Sequence, residues 1–190
     1  MGDARHPWAT VANGITATRL LLLPLSLWLI LNGNAFAAIY CFAAAVATDF
    51  LDGYVARLRG EASRFGGFFD HLTDALFVAA GLGALGLLGR MPIILAPLIL
   101  LAFLQYAVDS RILMGRPLRA SQLGRINGIA YYVLLGGGLF FEALELNGPG
   151  GDALRLLGWL LVISTLLSIL DRAVAWWVSR RVRGSPDAGR

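Results

Sequence analysis

The chain has no lysine, one cysteine and two histidines, and only 15% of its 190 residues are charged. A soluble domain usually carries about 25% charged residues. The shortfall, with 57% of residues hydrophobic and a mean hydropathy of +0.68, points to a polytopic membrane protein. The lone Cys41 lies in an apolar run and excludes an internal disulfide. His6 and His71 stand far apart, so no Cys/His cluster offers a zinc site. The net charge of +4 would suit nucleic acid, but the arginines sit at the ends of apolar runs, where membrane topology explains them. Nucleic acid is therefore not an expected partner.

What the chain does have is a series of apolar segments: 15–31, 35–56, 67–88, 93–113, 126–146 and 154–178. Each is long enough for a helix to cross a bilayer core, which predicts an all-α integral membrane fold of six transmembrane helices. Turn chemistry separates them, as in Asn32-Gly33-Asn34, Gly115-Arg116-Pro117 and Asn147-Gly148-Pro149. Residues 1–190 read as one domain, with an N-terminal interfacial segment over 1–12, Trp8 at headgroup level, and a tail over 184–190. Arginines crowd the two termini and the second and fourth connections. The positive-inside rule places these in the cytoplasm, with a bacterial inner membrane as the expected location. Ala35-Phe36-Ala37 after an apolar stretch also suits a signal-peptide cleavage site, but the stretch is long for one.

Four carboxylates carry the chemistry. Asp49 and Asp52 fall near the end of the second predicted helix, Asp70 and Asp74 near the start of the third. Spacings of three and four put each pair on one helix face, and a short connection makes the two helices antiparallel neighbours. Intramembrane acids are costly and imply a cationic partner. Two divalent ions would balance four carboxylates, and all-oxygen ligation favours Mg²⁺ or Mn²⁺. Such a pair of ions can clamp a phosphate during in-line displacement, with a nearby carboxylate taking the proton of an attacking hydroxyl.

The stretch reads Asp49-Phe-Leu-Asp52-Gly53-Tyr-Val-Ala56-Arg57, then eight residues, Gly66, three residues, Asp70, three residues and Asp74. It resembles the signature of the CDP-alcohol phosphotransferase family. The resemblance implies that Asp49, Asp52 and Asp70 ligate metal, and that Asp74 is the general base and touches the second metal. It implies that Gly53, Ala56 and Gly66 leave space for the cytidine nucleotide, that Arg57 contacts phosphate, and that Ser63 helps bind the nucleotide. Asn13-Gly-Ile-Thr16-Ala-Thr-Arg19 resembles the family's entry to the first helix, which brings Asn13 and Thr16 to the same pocket. Ser63 is equally suited to cap the third helix, Asn13 and Thr16 the first, and Arg57 to anchor topology. His71 occupies a variable position of the pattern and is expected not to be catalytic.

The implied reaction is transfer of a phosphatidyl group from a CDP-diacylglycerol-like lipid to an alcohol, with release of CMP. The family resemblance also implies a homodimer. Small residues at Gly81, Gly83, Gly86 and Gly89, and at Gly136 to Gly138, suit close helix packing within the chain or at a dimer seam. The acceptor is read from Arg111, Arg119 and Arg125 around the fourth connection, which suit an anionic polyol phosphate or merely topology. Ala75 follows Asp74, where glycerophosphate-using relatives often have lysine. Glycerol 3-phosphate, an inositol phosphate, serine and a second lipid all stay open. A cation or proton-coupled transporter using the same aspartates is the alternative from another class, and a non-catalytic scaffold a third.

Overall fold

The computed structural model describes residues 10–109, 122–146 and 148–183, and these form six α-helices with no strand among the described residues. The helices are α1 (Val11–Leu31), α2 (Ala35–Arg59), α3 (Arg64–Leu87), α4 (Leu95–Asp109), α5 (Gln122–Ala143) and α6 (Pro149–Arg183). All but α4 are long and apolar enough to span a membrane, and α4 is a shorter apolar helix. Large apolar side chains such as Leu21, Tyr40, Val133 and Leu156 point outward, as expected where lipid is the solvent.

Local chemistry sets the helix ends and explains where they depart from the hydropathy pattern. The first helix starts at Val11 rather than at residue 15, because the Thr10 side chain accepts from the Asn13 amide at 3.1 Å and caps it. Residues 11 and 12 thus belong to α1 and not to a separate interfacial segment; residues 1–9 and 184–190 lie outside the described residues. The sixth helix starts at Pro149, whose fixed φ suits a first helical turn. The fourth was expected over 93–113; α4 begins at Leu95, with Pro97 tolerated in a first turn whose amides need no helical partner.

The connection that matters most is the one between α2 and α3. Gly60 closes α2 in the left-handed region at φ 64°, where a side chain would be strained. Ser63 then caps α3 by accepting from the Gly66 amide at 3.0 Å. With residues 60–63 alone joining them, α2 and α3 run antiparallel. The first helix packs against both.

The core lies between α3, α4 and α5, where Leu82, Leu85, Leu95, Leu135 and Leu139 are fully buried. Most of the glycines expected to serve packing do so within the chain, whereas Gly89 meets no neighbour and takes a positive φ in the turn after α3. A Cβ on Gly81 would meet Leu135, one on Gly136 would meet Phe42, and one on Gly138 would meet Leu85. At the far end of the bundle, Arg90 ties the α3–α4 turn to α5 through two bonds to Glu142, at 2.7 and 2.9 Å.

Candidate active site

The four aspartates converge between α1, α2 and α3. At 1.5 Å per residue, all lie about 9–15 Å from the α2–α3 connection, so the two pairs meet at one depth. Side-chain exposure falls from 36% at Asp49 to 27% at Asp70, 21% at Asp74 and 5% at Asp52. The site is therefore half-dry, with Asp49 at its mouth and Asp52 at its floor. Carboxylate oxygens of Asp49, Asp52 and Asp70 lie within 4.8 Å of one another. A second group, of Asp70, His71 and Asp74, meets the same limit. Either set could hold a metal ion, and the carboxylate oxygens suit a hard divalent one.

The first helix supplies more than an entry stretch. Thr16 Oγ1 donates to Asp52 Oδ2 at 2.6 Å and lies 3.1 Å from the Ala12 carbonyl, the alternative acceptor for its one proton. Neither Thr16 nor Asn13 caps α1, since Thr10 does. Asn13 is buried, and its Oδ1 stands 3.0 Å from where a Gly66 Cβ would be. Ser63 Oγ stands 3.2 Å from the same point. Gly66 thus lets α1 and the α3 cap approach each other, and Ser63 performs the capping role open to it. Gly53 is different: a Cβ there would meet only Arg57, at 3.5 Å, an ordinary contact. Ala56 is half-buried and Arg57 exposed on the same helix.

Arg19 is the residue that the sequence pattern does not mark as part of the cluster. It is 0% exposed and bonds all four aspartates. Nη1 donates to Asp49 at 3.0 Å and to Asp74; Nη2 donates to Asp70 at 2.5 Å and to Asp52. The protein itself therefore offsets one of the four negative charges, and three are left for other cations. The available signal was the spacing Thr16–Arg19, which puts both on one face of α1.

Beside Asp74 opens a cavity of about 630 Å³ between α3, α4, α5 and α6. Its wall includes Asp49, Asp74, His71, Gln105, Tyr106, Arg125, Asn127, Tyr132 and Arg172. Asn127 Oδ1 accepts from Ser164 at 2.6 Å, and Gln105 Nε2 donates to the Ile169 carbonyl at 3.0 Å. Of the opposite ends of these amides, Gln105 Oε1 is buried with no hydrogen-bond partner; Asn127 also pairs with Tyr131, and the Tyr132 hydroxyl with Asp74. A buried polar atom of this kind is normally satisfied, so this part of the wall suits a guest with a polar group. Arg172 lies over the Tyr106 ring, 5.3 Å from its centroid. Of the arginines read as acceptor contacts, Arg125 lines this cavity, whereas Arg111 and Arg119 lie outside the described residues. Gln105, Asn127, Tyr132 and Arg172 escape sequence reasoning because they are scattered over three helices with no shared spacing.

Residues 9–170 match the profile of the family described as CDP-alcohol phosphatidyltransferase. A Mycobacterium tuberculosis protein named "Probable phosphatidylglycerophosphate synthase" is 32% identical over 148 residues, 74% of this chain and 69% of that protein. A Pseudomonas fluorescens protein named CDP-diacylglycerol--glycerol-3-phosphate 3-phosphatidyltransferase is 43% identical over 75 residues, 38% of each chain. A protein of the same name from Escherichia coli K12 is 37% identical over 68 residues, 34% of this chain and 37% of its own. The match thus spans well under half the length of the last two.

Proposed function

Since the chain belongs to the CDP-alcohol phosphatidyltransferase family and is an integral membrane enzyme of phospholipid synthesis, we propose that it moves a phosphatidyl group from CDP-diacylglycerol to a polyol phosphate, glycerol 3-phosphate before others. The observation that carries the acceptor is the cavity beside Asp74, with Arg125 and Arg172 on its wall. Two guanidinium groups suit a phosphate dianion. The buried Gln105 Oε1 suits a hydroxyl. The names of the relatives point to the same acceptor.

Asp49, Asp52, Asp70 and Asp74 would hold two divalent ions, Mg²⁺ or Mn²⁺. When bound, these supply polarisation of the phosphoryl oxygens and stabilisation of the leaving phosphate. The chain's own residues do the rest. Gly53, where the fold leaves room, and half-buried Ala56 keep space open for the cytidine nucleotide. Arg57 lies back toward Gly53 and meets the donor's phosphate there. Asn13, Thr16, Ser63 and Gly66 form the packed wall behind it. The acceptor hydroxyl, held in the cavity, attacks the lipid-side phosphorus. Asp74 takes its proton, a new phosphorus–oxygen bond forms, and the bond between the two donor phosphates breaks, with its electron pair leaving on CMP. The acyl chains stay in the bilayer, and nucleotide and acceptor enter from the cytoplasmic side.

The test is an acceptor panel. Purified protein is given CDP-diacylglycerol and Mn²⁺ with glycerol 3-phosphate, inositol phosphate, serine or glycerol, and CMP and lipid product are measured. Phosphatidylglycerophosphate is expected as the main product. A product from serine, with none from either phosphorylated polyol, overturns the acceptor reading.

A further inference from the structure

Arg19 has no task in the transfer described above, yet it is the most completely buried charge among the described residues. It lies in a helix whose other buried residues include no acid. Its guanidinium stands where all four aspartates meet and takes an oxygen from each. Asp52 Oδ2 accepts from Arg19 and from Thr16 at once, so the floor of the cluster is held entirely from α1. Arg19 Nε is buried with no partner. Every bond that fixes the guanidinium therefore runs through its two Nη atoms to carboxylates that also make up the cation sites.

We propose that Arg19 is a positioning residue, a resident counter-ion that keeps the four carboxylates assembled before metal binds and then yields its oxygens to the entering ions. The proposal rests on the reading of the aspartates as metal ligands. Without a cation among them, the four charges would drive α2 and α3 apart in a half-dry site. One guanidinium prevents this but leaves three negative charges unmatched, so the cluster still draws divalent ions strongly. A guanidinium and two ions cannot share these oxygens without severe repulsion at low dielectric. The unpartnered Nε means that withdrawal breaks no bond outside the cluster. Arginine suits the role better than lysine because its planar fork reaches four acceptors together.

The test uses the full chain in detergent, with Mn²⁺ as probe. Binding is followed by electron paramagnetic resonance, and melting is measured in chelator and in saturating Mn²⁺. Arg19→Met is expected to melt below wild type in chelator and to recover most of the difference in Mn²⁺. It is expected to bind Mn²⁺ about tenfold more tightly, since a competing cation has gone. Arg19→Lys should fall between the two in both measurements. If Arg19→Met folds only with metal present, Arg19→Lys carries the affinity comparison with the same sign. A purely structural ion pair would lower stability and leave Mn²⁺ affinity unchanged or weaker, and that result overturns the displacement. Absence of Mn²⁺ binding in all three proteins overturns the metal reading itself, and displacement with it.

Discussion

Arg125 and Arg172 reach the cavity from α5 and α6, one at its rim and one laid over Tyr106. If both hold the acceptor's phosphate, replacing either with glutamine removes charge-assisted bonds of about 1.5–3 kcal/mol, or roughly ten- to a hundredfold in acceptor KM. Steady-state kinetics should show that rise for glycerol 3-phosphate with the donor KM little changed. Equal loss for both substrates would place these arginines elsewhere in the cycle. Gly53 gives a second, sharper prediction. The fold has room for a Cβ there, and alanine in a helix interior is favoured over glycine by about 0.5–1 kcal/mol. Gly53→Ala should therefore melt no lower than wild type while donor binding, measured by calorimetry, weakens. Unchanged donor binding would remove Gly53 from the nucleotide pocket. Such residues were legible unevenly. The aspartates announce themselves because two i,i+3 and i,i+4 pairs of acids in apolar helices have few innocent uses. Arg19 does not, because a single arginine about two turns into the first helix shows no acidic partner until the fold brings the four aspartates to it.

Among the elements, the α2–α3 hairpin sets the site. Its Gly60 and Ser63 caps shorten the connection to four residues and bring the two acid pairs to the same level. The α3–α4 turn is packed more tightly still: a Cβ on Gly86 would lie 2.8 Å from the Ile93 Cα, and backbone cannot swing aside. Gly86→Ala should cost about 1–3 kcal/mol of stability, seen as an earlier thermal transition in detergent. Gly83→Ala, which meets only the Ala96 Cβ at 3.3 Å, should cost much less. Equal effects would mean that this turn is not closely packed. Hydropathy located all six helices because each is apolar over most of a bilayer's thickness. It placed the starts of α1, α3, α5 and α6 too late; at α1 and α6, Thr10 and Pro149 extend the helices through polar residues by capping and a fixed φ rather than by burial. Apart from Arg125, the proposed acceptor cavity was illegible because it is assembled from single polar side chains on α4, α5 and α6 that only packing brings together.

For the whole molecule, orientation and chemistry are linked. In the proposed orientation, which the positive-inside rule predicts, the α2–α3 connection faces the cytoplasm and the aspartate cluster opens toward the compartment that holds nucleotide and acceptor. In a Cys41→Ala background, Ala62→Cys should react with an impermeant maleimide only when the cytoplasmic face is accessible, and Asn32→Cys only from the opposite face. The reverse pattern would invert the topology. The central claim is that the aspartate cluster performs phosphatidyl transfer with Asp74 as its base. It is tested most directly by comparing wild type with Asp74→Asn on CDP-diacylglycerol, glycerol 3-phosphate and Mn²⁺, following CMP and lipid product together with donor binding. The account predicts that the variant still binds donor but loses turnover by about a hundred- to ten-thousandfold, the usual worth of a positioned base. Full turnover in Asp74→Asn, or metal-dependent cation flux through the wild type with no CMP formed, would contradict it.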